Sequence, residues 1–457
     1  MKTIRLSKVS RFLTLACASL ATFACFAQDY RVLHHFAGGT DDGANSYGSL
    51  LLSGSTLYGM TYEGGTNNLG TIFRMNTDGT GFQLLHSFVS GATDGQWPAG
   101  PLILSGSTLY GMTTSDGSSY GGTVFQVQTN GSGFNVLHQF SGSEGKWPYG
   151  ALLRSGDLLY GLNAYSGYNT NSGWVGYGTV FRMDTNGTNF QLLHTFTDGP
   201  GDGSYPHGSL VGSDSTFYSM TSAGGTNGNG TIFKINADGS NYQLLHSFGG
   251  GTNNGAWPGL ATLTPSGSTL YGTTSAGGTS GKGTLFKIDT NGTGFTLLHN
   301  FIGGSADGSG PASGATVQAG TMLYGTTEGG GSNSKGAIYE IKTDGTGFQL
   351  LHSFGGSDGN RPVGSLLMSG STLYGITYSG GSNNLGIIYA VDLPLPTLAV
   401  SLSSTNVNLS WSTNCPNFTL ESTDVLTNAW SPVPGVTGYS ATLPVGPVTN
   451  QFFRLRK

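Results

Sequence analysis

The chain has 457 residues, enough for two or three average domains or for one large repeat domain with an appendage. Its 79 glycines would suit a disordered chain, but 36% hydrophobic and 11% aromatic residues exclude that reading. Only 9% of residues are charged, the formal net charge is −5 and no basic cluster occurs, which argues against nucleic acid or anionic lipid as a partner.

Residues 1–27 read as an export signal. Lys2, Arg5, Lys8 and Arg11 form a positive start, residues 12–23 form an apolar run, and Cys25-Phe26-Ala27 offers a small-x-small cleavage site. The run is too short to span a membrane, and no membrane span is expected elsewhere. Cleavage after Ala27 is the expectation. Lipidation of Cys25 is the less favoured route, because Thr22 stands where a branched aliphatic residue is usual. Export places the protein outside the cell or at its surface, with the periplasm as the alternative. Cleavage leaves Cys415 alone, so no intramolecular disulfide can form. It also leaves 14 Lys+Arg (18 − 4) against 23 Asp+Glu, a net charge of −9.

Residues 28–392 are repetitive. The histidine of an "LxH" motif recurs at His34, His86, His138, His194, His246, His299 and His352, and "GTIF" or a variant begins at Gly70, Gly122, Gly178, Gly230, Gly283, Gly336 and Gly386. One unit reads as four strands: "GSLLLSG", "STLYGMT", "TIFRMN" and "FQLLHSF". Asp-Gly or Asn-Gly, as at Asp78 and Asn130, supplies the positive φ that the second hairpin turn needs. Four strands in a unit of about 40–50 residues is the pattern of a β-propeller blade. The last unit lacks its fourth strand, and an unpaired "RVLHHF" precedes the first. The fold expected is therefore all-β: a seven-bladed propeller whose N-terminal strand completes the last blade and closes the ring.

The order "LYG…GG…LGTIF…TDGTGF…LHSF", with Gly64-Gly65 after the second strand, resembles a kelch-type blade, although kelch repeats end in a tryptophan-bearing strand. A closer resemblance, over residues 31–392, is to the GloVer (Gloeo_Verruco) tandem repeat family of exported bacterial proteins. That resemblance implies a surface or extracellular location and varied C-terminal modules. It implies no known activity.

"LPLP" at 393–396 reads as a stiff linker. Residues 397–457 alternate apolar and polar in short runs, which suggests a small Ig-like or fibronectin-III-like β-sandwich of about six strands. Its "FTLESTDVLTNAW…FFRL" run resembles a terminal module of exported proteins, which implies sorting or attachment.

Function is expected on the face that carries the long loops. One loop set carries "DGxWPxG", placing Trp97, Trp147, Tyr205, Trp257 and Arg361 beside an acid or amide. An aromatic ring stacks on the apolar face of a pyranose while the polar neighbour bonds its hydroxyls. Packing between blades is the competing role for these rings. The other loop set is longer in the third unit, where the insertion adds Tyr165, Tyr168, Trp174 and Tyr177. Each repeat histidine lies in an apolar row on an outer strand, too far from its copies to share a metal, so a core role is expected. His207, in a loop, is the exception.

No catalytic or metal site and no cofactor is expected: HExxH, G-x-S-x-G and a zinc-spaced cysteine pair are all missing. Calcium on loop carboxylates is open, without a "DxDxDG" to support it. The lead expectation is a non-catalytic, exported repeat protein that binds a glycan, or else a surface protein. The rivals are a polysaccharide hydrolase or lyase that uses loop carboxylates (Asp42, Glu63, Asp94, Asp116, Glu144, Asp202, Asp307, Glu328 and Asp358), and a purely structural surface repeat.

Overall fold

In the computed structural model the chain forms two compact units, one of Tyr30–Gln318 with Leu323–Val391, the other built mainly from Asp392–Lys457. The structure describes residues 4–7, 29–116, 121–165, 168–169, 173–174, 176–213, 215–311, 314–394 and, beyond them, 398–402, 406–410, 419–423, 431–433, 436, 440–444 and 450–456. Among these residues every regular element is a strand except one 3-10 turn, Gly142–Glu144.

The large unit carries seven four-stranded antiparallel sheets. Sheet 1 runs Leu51–Ser53, Thr56–Thr61, Thr71–Asn76, Gln83–Ser87, and the next five repeat that order along the chain. Sheet 7 takes Asn360–Ser369, Thr372–Ser379 and Ile387–Asp392 from the end of the repeats, and its fourth strand is Asp29–His35. The expected N-terminal closing strand is therefore in place. Phe36 N–H donates to Gly386 O at 3.1 Å, as Phe88 N–H does to Gly70 O at 3.0 Å in sheet 1.

The middle strands are buried on both faces, because each sheet lies between two others. Thr71–Asn76 is buried at four of its first five positions rather than at alternate ones. Met60 and Ile72 of sheet 1 share a core with Leu109 and Phe125 of sheet 2. Phe36 and Ile388 of sheet 7 share one with Leu57 and Phe73 of sheet 1. The glycine of "LYG" makes this layer possible. A Cβ on Gly59 would collide with the Phe73 ring that lies across it. A second set of glycines marks where the segments leading into the first strands converge: Cβ atoms on Gly100, Gly150 and Gly208 would run into the backbone of Gly150, Gly208 and Ala261. Gly364 meets Gly48 in the same way, so the contact runs across the seam.

The repeat histidines do more than fill a core. Each imidazole stacks on an aromatic ring of the following sheet: His86 on Phe134 at 3.8 Å, His194 on Tyr242 at 3.8 Å, and His352 on Tyr30 of the closing strand at 3.8 Å. Six of the seven Nε2 atoms also hydrogen-bond a carboxylate or amide six to eight residues on, as in His86–Asp94 at 2.7 Å, His246–Asn254 at 3.2 Å and His352–Asp358 at 2.9 Å, while His138 Nε2 stands 3.4 Å from Glu144.

In the smaller unit the six C-terminal strands fall into two sheets. Asn406–Ser410 pairs with both Ala399–Leu402 and Ser440–Pro444, while Thr419–Thr423 pairs with Ser431–Pro432 and Asn450–Arg456. Leu409 and Ala441 of one sheet pack with Leu420, Val433 and Phe453 near the other. Ile4–Ser7, inside the expected signal, pairs with Asn450–Arg456 at the edge of the second sheet, in register Ile4↔Phe453. Cleavage after Ala27 would uncover that edge. The rest of the expected signal lies outside the described residues.

Candidate functional site

The loop that enters each sheet and the loop between its second and third strands lie side by side. Gly43–Ala44 pairs with Glu63–Gly64, Gly203–Ser204 with Ala223–Gly224, and Gly308–Ser309 with Gly329–Gly330. Both expected loop sets thus share one end of their sheets.

The residue after this short ladder is left-handed in every repeat: Asn45, Trp97, Trp147, Tyr205, Trp257, Gly310 and Arg361, with φ between 52° and 66°. Its N–H donates to the previous repeat's loop, as Trp97 N–H does to Leu69 O at 2.8 Å. Its carbonyl accepts from its own, as Trp97 O does from Thr114 N–H at 3.1 Å. The conformation welds neighbouring sheets and costs a side chain roughly 1–2 kcal/mol. Gly310 makes the weld without that cost. The other six positions keep a side chain.

These side chains meet others from the adjoining loops. Trp97 stacks on Tyr62 at 6.0 Å, Tyr62 meets Tyr47 edge-on at 5.2 Å, and Tyr47 meets Tyr378 at 4.8 Å. Arg361 lies 4.9 Å over Tyr378 and bonds Glu328 at 2.9 Å. Trp147 is edge-on to Tyr165 at 5.0 Å, and Tyr165 lies 4.9 Å from Tyr205, which meets Tyr177 at 5.9 Å. Trp257 stands 55% exposed. The insertion in the third repeat folds into a small hairpin, Tyr168–Asn169 against Gly173–Trp174. The side chains of Tyr168 and Trp174 lie outside the described residues.

Inside these rings lies a cavity of about 280 Å³. Its lining includes Tyr47, Tyr149 and His207 together with Ser49, Ser209, Thr262 and Ser365. Burial lowers the His207 imidazole to about 4, against the weaker opposing pull of a Tyr205 backbone hydrogen bond, so it is neutral at pH 7. Ser222 Oγ holds its Nδ1 at 2.8 Å. Burial also raises the Tyr149 phenol to about 12, and raises Tyr47 with help from a hydrogen bond to Tyr378.

Six of the loop carboxylates that could have served acid–base chemistry serve the frame instead. Asp42, Asp94, Asp202, Asp307, Glu144 and Asp358 face the repeat histidines. Each also accepts a backbone N–H of its own loop, such as Val89 N–H to Asp94 at 2.8 Å and Gly355 N–H to Asp358 at 2.7 Å. Burial pushes the Asp202 carboxyl up, but the hydrogen bond from His194, the charge of His194 and the Gly203 N–H outweigh it and hold it at about 2. Asp116 takes the Gln139 amide, and Glu328 takes Arg361. Among the described residues no group of three His, Cys, Asp or Glu could hold a metal ion.

Tyr47, Tyr62, Tyr149 and Tyr378 were not picked out by the sequence. Tyr47, Tyr149 and His207 share a position, two residues after the left-handed one and just before a glycine. Ala99, Gly259, Ala312 and Val363 stand two residues after the left-handed one elsewhere. A variable residue in a constant frame was the available signal.

The described residues contain no helix long and apolar enough to cross a membrane. No curated protein matches the chain. Loose structural likenesses include an oligogalacturonate lyase solved in complex with manganese, at 15% identity, TM-score 0.46, over 74% of this chain and 86% of that one. Another is an oligogalacturonate lyase from Vibrio parahaemolyticus, at 12% identity, TM-score 0.46, over 80% and 97%. TolB from Acinetobacter baumannii matches at 15% identity, TM-score 0.38, over 65% and 62%. Likenesses this distant say nothing of substrate. The Gloeobacter/Verrucomicrobia repeat matches residues 18–176, 167–389 and 303–420, and the chain belongs to that repeat family.

Proposed function

We propose that this is an exported, non-catalytic, seven-bladed β-propeller with kelch-like blade order that binds a glycan on its long-loop face. Each four-stranded sheet is a blade, and the C-terminal pair of sheets is a small β-sandwich used for attachment. The observation that carries this reading is the left-handed ring. Six repeats retain a side chain where Gly310 shows that glycine suffices, and four of the six are aromatic. Rings kept against a backbone cost, beside hydroxyl-rich loops, are the equipment of a sugar platform. The hydrolase or lyase reading draws no support from the six carboxylates, all bonded to backbone and five of them to histidine.

The test is glycan-array binding by the full chain beside a Trp97→Ala/Trp147→Ala/Trp257→Ala variant whose thermal unfolding shows it folded. A glycan bound by the parent and lost by the variant supports a lectin. A parent that binds no glycan overturns the reading and turns the search to surface proteins.

A further inference from the structure

The cavity inside the aromatic ring has a polarity of its own. Four of its lining residues carry hydroxyl groups already used as acceptors. Ser365 N–H donates to Ser49 Oγ at 2.7 Å, and Ala315 N–H to Ser365 Oγ at 2.8 Å. Ala151 N–H donates to Ser209 Oγ at 2.8 Å, and Ser209 N–H to Thr262 Oγ1 at 3.1 Å. These bonds tie neighbouring repeats together through the hydroxyl oxygens. They leave each hydroxyl hydrogen without an acceptor among the described residues, and all four residues line the same cavity.

The other lining side chains differ. Tyr47, Tyr149 and His207 present ring surface, and Pro101, Leu210 and Leu260 add aliphatic surface. No Asp, Glu, Lys or Arg is among the described residues that line the cavity. At about 280 Å³ it falls just under the roughly 300–1,000 Å³ usual for small-molecule sites, which leaves room for one ring-sized unit and not for a chain. Apolar walls, converging hydroxyl donors and no fixed charge suit a compact, uncharged ligand rich in hydroxyl oxygens.

Resting on the glycan reading above, we propose that this cavity takes a single uncharged pyranose unit, the end of a neutral glycan, and rejects uronic acids. A carboxylate placed here would lose its water and find no Lys or Arg among the described lining residues to replace it. The ring stacks against Tyr149 or Tyr47, and its hydroxyl oxygens accept from Ser49, Ser209, Thr262 and Ser365. The outer rings at Trp97, Trp147 and Trp257 then meet the units that follow.

Calorimetric titration of the full chain with the methyl pyranosides of glucose, galactose and mannose, and with galacturonate, tests this. At least one methyl pyranoside should bind, with galacturonate tenfold or more weaker. Ala151→Phe, which fills the cavity but keeps the backbone bond to Ser209, should weaken the pyranoside at least tenfold. Tyr149→Ala, which removes a wall, is the second variant should the first fail to fold. Equal binding of galacturonate, no binding of any pyranoside, or binding untouched by both variants overturns the proposal. Array glycans that survive Ala151→Phe but not the triple tryptophan variant would sink the cavity site and leave the platform standing. Pyranoside binding that needs the cavity but not the tryptophans would do the reverse.

Discussion

The residue at the left-handed position has two separable jobs, one for its backbone and one for its side chain. Trp257 is where the two separate best, because its side chain is 55% exposed. Trp257→Gly removes the left-handed penalty of about 1–2 kcal/mol and adds about 0.5–1 kcal/mol of backbone entropy. Its unfolding free energy should stay within about 1 kcal/mol of the parent, read from urea denaturation, while glycan binding falls. A large loss of stability would mean that the indole is structural. The histidines give the opposite case. His86 stacks on Phe134 and bonds Asp94, which in turn caps Val89 N–H. His86→Leu keeps the volume but strands a buried carboxylate, so it should cost about 1–3 kcal/mol in the same assay. The eight-residue interval from His86 to Asp94 stands in the sequence. Reading the histidine as an apolar-row residue hid its polar partner, because strand periodicity says which face a residue takes and nothing of what a loop brings back to it.

At the scale of the element, the closing strand is where sequence and structure agree most closely. An orphan "RVLHHF" before the first repeat and a missing fourth strand after the last leave one economical pairing. Asp29–His35 makes it, and Tyr30 takes the place in that strand that Phe82 takes in sheet 1, stacking on His352. Phe36, fully buried, fills the core between sheets 7 and 1. Phe36→Ala should therefore cost about 3–5 kcal/mol in urea unfolding, as much as a change in the middle of the chain. A cost under 1 kcal/mol would show that the seam is not held there. The strands and hairpin turns were legible because Asn-Gly, Asp-Gly and the repeat period are local signals. Tyr47 and Tyr149 were not legible, since only the convergence of several repeats makes neighbours of residues about a hundred positions apart.

For the whole molecule, acid is the informative perturbation. Burial lowers His207 to about 4 from an ordinary 6.5, and lowers His138, His246 and His352 against the pull of Glu144, Asn254 and Asp358. A lowered histidine means that the unfolded chain takes up its proton first, so stability falls as pH drops below about 6.5 and goes on falling to the folded value. Asp202, held at about 2 against an ordinary 3.8, adds a loss of the same sign from about pH 4 downward. Glu340, raised by its burial above an ordinary 4.5, has the opposite sign, a single carboxyl set against four imidazoles. The melting temperature should therefore be highest near neutral pH and decline from about pH 6.5 to 3. His207→Gln should flatten the upper part of that decline, by on the order of 1–3 kcal/mol at pH 4, and Asp202→Asn the lower part after a constant loss. Calorimetry at unit pH steps resolves the two windows. A melting temperature unchanged from pH 7 to pH 4 would show that the imidazoles stay hydrated in the folded chain, and the uncharged cavity around His207 would lose one of its walls.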